Sequence, residues 1–193
     1  MATEIRIVEE AKKPISMHPQ KFALWIFLVT VIMIFAALTS AYIVRQADGN
    51  WMLFELPDLF FITTAVILIS SATMHWAYRS VKKDNLETAK LAVALTTILG
   101  ICFLVGQYLA WGQLVNNSVY LVGNPSGSFV YIISGLHGVH IVGGIIFLLI
   151  VFVSIFKSKV HSKNVLRIEM CATYWHFLGG LWLYLFVFLL LNR

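Results

Sequence analysis

The 193-residue chain is poor in charge, and five long stretches have none. Phe22–Val44, Leu59–Tyr78, Leu91–Val115, Phe129–Phe156 and Met170–Leu191 contain no Asp, Glu, Lys or Arg. Only 12% of residues are charged, 60% are hydrophobic and the mean hydropathy is +0.84, which excludes an ordinary soluble domain. Proline is scarce too. Pro14, Pro19, Pro57 and Pro125 all lie outside the five runs, so each run is an unbroken helix candidate. About 20 apolar residues cross a hydrocarbon core of roughly 30 Å, and every run reaches that length. Cysteine is limited to Cys102 and Cys171, in or at the edge of the third and fifth runs. They read as free packing residues and not as a disulfide. No internal repeat or low-complexity stretch interrupts the pattern.

These absences predict an all-α, polytopic membrane protein with a bundle of five transmembrane helices. Residues 1–21 read as a cytoplasmic tail and residues 22–193 as one membrane domain. The tail carries Glu4, Glu9 and Glu10 among its basic residues, and no small-residue cleavage site follows the first run, so that run reads as a retained helix. The basic residues set the direction. Arg6, Lys12, Lys13, Lys21, Arg79, Lys82, Lys83, Lys90, Lys157, Lys159, Lys163 and Arg167 fall on one side, against Arg45 and Arg193 on the other. Positive charge stays inside, which places the N-terminus in the cytoplasm and the C-terminus outside. The net charge of +5 is therefore a topology signal and not a nucleic-acid footprint. Tyr42, Trp111, Tyr120 and Tyr131 on one side, and Trp25, Trp76, Tyr78, Tyr174 and Trp175 on the other, read as interfacial belts, with Trp51 as a loop anchor.

Few residues inside the runs could carry chemistry. Helix 2 has Ser70, Ser71, Thr73 and His75, helix 3 has Gln107, and helix 5 has Glu169 at its cytoplasmic end and His176 further in. Helix 4 has His137 and His140, whose spacing of three puts both imidazoles on one helix face, with Gly144 a turn further on. Polar groups in lipid are costly and rare, so the pair needs an explanation. A haem or metal site using His137, His140 and His176 is one reading. It is opposed by a depth difference of roughly 10 Å between His140 and His176 at 1.5 Å per residue, and by the lack of an acidic or thiol co-ligand near the pair. A self-contained proton pump would need buried carboxylates, which the runs lack; the chain would at most lend histidines to a path completed elsewhere. Helix packing or lipid-headgroup contact asks for nothing the chain does not have. Gly135, Gly138, Gly143, Gly144, Gly179 and Gly180 allow close approach, and each histidine is then expected to find a hydrogen-bond partner.

Several segments, in order, resemble subunit III of the haem–copper terminal oxidases. Gly127-Ser128-Phe129 through Gly135-Leu136-His137-Gly138-Val139-His140-Ile141-Val142-Gly143 looks like the family's Gly–His–Gly–x–His segment. Glu169, Ala172-Thr173-Tyr174-Trp175-His176-Phe177 and Trp182 are similar to its Glu…Tyr-Trp-His-Phe…Trp segment. Leu99-Gly100 with Phe103 and Gln107, and Ser70-Ser71-Ala72-Thr73, match more weakly. The resemblance implies a non-catalytic subunit of a proton-pumping respiratory oxidase that reduces O2 to water, in a bacterial inner membrane. It implies subunit I as main neighbour, other oxidase subunits beside it, and bound phospholipid. Haem and copper would sit in the partner subunits and none in this chain. Its role would be stability, lipid binding and support of proton uptake, with His137, His140, Glu169, Trp175 and His176 as lipid-binding or packing residues. Quinol oxidases and nitric oxide reductase-associated homologues share these signatures. Longer relatives have seven helices, of which this chain resembles the last five, so the family's lipid cleft is either absent or completed by another chain. Family carboxylates are replaced by Val31, Ala110 and Gly179, so no role of those carboxylates carries over.

Overall fold

The computed structural model describes residues 18–157 and 165–192. Most of the N-terminal tail, Lys159, Lys163 and Arg193 lie outside the described residues. Five helices follow one another: α1 (Pro19–Ala47), α2 (Leu59–Lys82), α3 (Leu86–Asn116), α4 (Pro125–Phe156) and α5 (Leu166–Leu191). All five are long and apolar enough to cross a membrane, and no strand occurs among the described residues.

Four of the helices continue past the apolar runs by four or more residues at one end. α3 starts at Leu86 where the hydropathy starts at Leu91, α4 at Pro125 where it starts at Phe129, α5 at Leu166 where it starts at Met170, and α2 runs on to Lys82. Hydropathy reports how deep a segment sits, whereas caps decide where a helix ends. Pro19 and Pro125 occupy the first turns of α1 and α4, where a missing N–H removes no helical bond. Asn85 and Asn124 close the N-termini of α3 and α4 by accepting from Thr88 N (3.2 Å) and Ser126 N (2.9 Å). Lys82 continues α2 by lying over the ring of Tyr78, 4.6 Å from its centroid.

Helices alternate in direction. The α2–α3 hairpin is the tightest unit: the hydroxyls of Thr73 and Thr96 meet at 2.8 Å, and Gln107 Nε2 donates to Thr63 Oγ1 at 2.9 Å. α5 packs on α2, α4 and α1, while α1 touches only α4 and α5. At one end of the bundle Lys21 Nζ meets Glu169 Oε1 at 2.7 Å. At the other, Tyr42 Oη and Gln46 Nε2 donate to the carbonyl of Asn192, and the two loops there join through Asn124 Nδ2 to Asn50 O and Ser126 Oγ to Met52 O.

The centre of the bundle is Trp175, 1% exposed. A methyl group on Gly100 of α3 would lie 2.7 Å from Trp175 Cη2, and one on Gly144 of α4 would lie 3.0 Å from its Cζ3. The indole is thus clamped between two glycines. Gly135, Gly138 and Gly143 likewise face side chains of neighbouring helices at 3.5 Å or more, but Gly180 has nothing within 4 Å, so the expectation of close approach fails there. Gly100→Ala is expected to lower the thermal midpoint of the purified protein, since the indole cannot retreat from α4. Gly180→Ala, measured alongside, is expected to leave the midpoint unchanged or to add up to about 1 kcal/mol through helix propensity.

Candidate functional site

Three tryptophans on the interior tie the helices together by one device. Each indole N–H donates to a hydroxyl of a neighbouring helix: Trp175 to Ser70 Oγ (3.0 Å), Trp182 to Thr64 Oγ1 (3.0 Å) and Trp111 to Ser134 Oγ (3.0 Å). Trp175 and Trp182 are seven residues apart and so lie on one stripe of α5. The hydroxyls of Thr64 and Ser134 pass their own protons back to carbonyls four residues earlier, Phe60 and Val130, both at 2.6 Å. Ser70 Oγ donates instead to Thr96 O of α3 at 3.3 Å, extending the chain Trp175–Ser70 to a third helix.

This corrects the belt assignment for several aromatics. Trp111, Trp175, Tyr42, Tyr131 and Tyr174 find partners inside the protein: Tyr131 Oη donates to Val119 O (3.0 Å) and Tyr174 Oη to His140 O (3.2 Å). Trp51 is no outward anchor either; its ring lies 4.6 Å from that of Tyr42 and against Phe129. Trp25, Trp76 and Tyr120 are exposed, as a belt requires.

The two helix 4 histidines do share a face, because both rings meet Phe35 of α1, at 6.3 and 5.6 Å between centroids. Their surroundings differ. His137 is wholly buried among rings, with Trp182 at 5.1 Å, Phe103 at 5.9 Å and Phe35. Neither of its nitrogens has a hydrogen-bond partner, contrary to the expectation of one for each histidine. His140 turns its Nδ1 to the carbonyl of Leu136, one turn back on its own helix, at 2.8 Å.

His176 faces elsewhere. Its Nδ1 meets Ser71 Oγ of α2 at 2.5 Å, and its ring lies 6.1 Å from that of His75. It therefore belongs to the α2–α5 seam, while His137 and His140 face α1. The structure does not bring the three into one ligand set, and no three His, Cys, Asp or Glu side chains converge among the described residues. Glu169 sits at the end of the bundle with Lys21; both are about one-third exposed, so the pair contributes less than about 1 kcal/mol. Sequence reasoning singled out Trp175 and His176 but missed Ser70 and Ser71 as their hydrogen-bond partners, and missed Phe35 altogether. Helical period marks which residues share a face, not which helix that face meets.

A groove of about 880 Å³ runs between the second half of α1 and the start of α4. Ala37, Ala41, Val44, Phe129 and Ile132 give it an apolar wall, and Arg45, Asp48, Asn124 and Ser128 a polar rim at the bundle end.

The arrangement defines a class: a polytopic helical membrane protein whose inward polar side chains are engaged mainly in holding helix to helix. The chain belongs to the cytochrome c oxidase subunit III family, whose profile matches residues 7–192. It is 29% identical over 194 residues to the probable cytochrome c oxidase subunit 3 of Rickettsia bellii, covering 89% of this chain and 68% of that protein. It is 28% identical to the cytochrome bo(3) ubiquinol oxidase subunit 3 of Buchnera aphidicola, covering 89% and 93%, and 27% identical to the probable quinol oxidase subunit 3 of Staphylococcus saprophyticus, covering 86% and 85%. Against the Rickettsia conorii relative the chain spans 64% of the length. These likenesses support a haem–copper oxidase subunit III, a multipass membrane component of a multisubunit complex.

If the indole bonds hold the bundle, Trp175→Phe and Ser70→Ala should be non-additive. Thermal unfolding of both single variants and the double variant is expected to give a coupling energy of roughly 0.6–1.7 kcal/mol, the range for interhelical hydrogen bonds in membranes. Strict additivity would show that the bond contributes nothing.

Proposed function

We propose that the chain is the non-catalytic third subunit of a proton-pumping haem–copper oxidase reducing O2 to water. In this reading it stands against subunit I in a bacterial inner membrane, stabilises that subunit, holds phospholipid and supports proton uptake. Its haem and copper belong to the partner subunits. The observation that carries the reading is the engagement of Trp111, Trp175, Trp182 and His176 in cross-helix bonds. Side chains so committed serve packing, and His176 faces α2 while His137 and His140 meet Phe35 of α1, so the three do not converge on one ligand. Residues 1–21 form the cytoplasmic tail and residues 22–193 the membrane domain. The basic residues at the α2–α3 and α4–α5 ends support a cytoplasmic N-terminus.

The groove between α1 and α4 is the proposed phospholipid site. Its apolar wall suits an acyl chain, and the rim, where Arg45 lies 3.6 Å from Asp48, offers one charge of each sign to a zwitterionic headgroup. His140 and Glu169 serve packing at α1 and at the opposite end of the bundle.

Purification from membranes in mild detergent is expected to bring a haem–copper catalytic subunit down with this chain; its absence would end the proposal. Oxidation of reduced cytochrome c or of a quinol by that complex then reads the electron donor. In the same preparation Arg45→Ala is expected to release tightly held phospholipid, counted by native mass spectrometry, while leaving the haem spectrum unchanged.

A further inference from the structure

Among the described residues, four buried side-chain nitrogen or oxygen atoms have no hydrogen-bond partner: Trp51 Nε1, Gln107 Oε1, and Nδ1 and Nε2 of His137. Three of the four belong to two residues that α3 and α4 hold at one level. Trp111 of α3 bonds Ser134 of α4, and Leu104 of α3 lies against Gly138 of α4. Gln107 falls between Leu104 and Trp111 just as His137 falls between Ser134 and Gly138. Phe103, one turn from Gln107 on the same stripe, has its ring 5.9 Å from the imidazole. Gln107 is 4% exposed and His137 not at all.

The rings around His137 cannot supply its missing bonds, and the amide nitrogen of Gln107 is taken by Thr63 Oγ1. Phe35 and Phe103 offer only ring faces and edges, and the one N–H of Trp182 is taken by Thr64. A neutral imidazole presents one donor and one acceptor, and the amide oxygen of Gln107 a further acceptor. A cation would find no carboxylate or thiolate there, and an anion no charge. A molecule with two donors and two lone pairs matches the set. Buried water occurs where polar groups would otherwise lack partners, with two to four bonds each.

We propose that His137 holds an internal water within the α3–α4 layer, with the Gln107 carbonyl as its second anchor. The water accepts from one imidazole nitrogen and donates to Gln107 Oε1 or to the other nitrogen of the ring by way of a second water. The site is independent of the electron donor and of the lipid groove. It also gives the histidine pair two separate tasks, one through water and one through its own backbone.

The test uses the full chain in its native complex, returned to lipid with 15N-labelled histidine. Water-edited solid-state NMR is expected to transfer magnetisation from water to the His137 imidazole, identified by its loss in His137→Phe, and Gln107→Met is expected to weaken that transfer. An imidazole signal with no transfer from water would overturn the proposal. Thermal midpoints give an independent reading. A water bridge predicts that each single substitution lowers the midpoint and that the double variant loses less than the sum, because removing one anchor strands the other. Single variants as stable as the parent, or more so, would mean a dry site and overturn it. Should His137→Phe fail to assemble, a density map of the unaltered complex that resolves ordered water decides the matter by the presence or absence of one beside the ring.

Discussion

The bundle depends on how one indole is seated. In lipid there is little hydrophobic drive between helices, so contact surfaces and interhelical hydrogen bonds must hold them together. Trp175 supplies both at once: its ring fills the space that Gly100 and Gly144 leave open, and its N–H reaches Ser70. Three helices are thereby indexed against a single side chain of a fourth. Two turns along α5, Trp182 repeats the contact with Thr64 and adds rings of α2 and α3, Phe60 stacked at 5.9 Å and Phe103 edge-on at 5.1 Å. Two indoles on one stripe answered by two hydroxyls on α2 fix both rotation and height, which one contact alone would not.

α1 stands outside this scheme. It carries no indole bond to the core, and its attachments include Phe27 against Tyr174, Phe35 against the helix 4 histidines, Thr39 Oγ1 3.2 Å from Tyr184 Oη, Tyr42 against Phe129 and the last turn of α5, Gln46 on Asn192, and the Lys21–Glu169 pair. Beside the Tyr42–Phe129 contact, between the later part of α1 and the start of α4, the groove opens. A helix held at both ends and at the middle by a ring leaves room beside it without leaving the bundle. That geometry connects the packing of α1 to the lipid role proposed for the groove.

Much of this was legible in the sequence, for definable reasons. Absence of charge over 20 or more residues marks a span whatever it packs against, so all five helices were readable. Spacing placed His137 and His140 on one face, and both meet Phe35. The aromatics were a different matter. Trp111 and Tyr42 lie toward span ends, where an interfacial ring and a buried ring have the same residue type and the same depth. Depth follows from position along the run, but direction around the helix depends on which helices are neighbours, and a bundle with no strong polar face gives no such signal. The glycines show the same limit: Gly144 and Gly180 look alike in sequence, and only one faces the tryptophan.

The histidine pair carries that argument furthest. Two identical side chains, three residues apart on one helix, resolve their polarity in opposite ways. His140 sits where its ring can fold back to Leu136 O, while His137 is enclosed by Phe35, Phe103 and Trp182, none of which offers it a free donor or acceptor. The difference arises from the neighbours and not from the motif, since Trp182 is placed by its bond to Thr64 and Phe103 by the register of α3. A motif read as one unit is therefore two sites in the folded chain, joined only through the ring of Phe35. The enclosure of His137 follows from the same indole packing that orders the bundle.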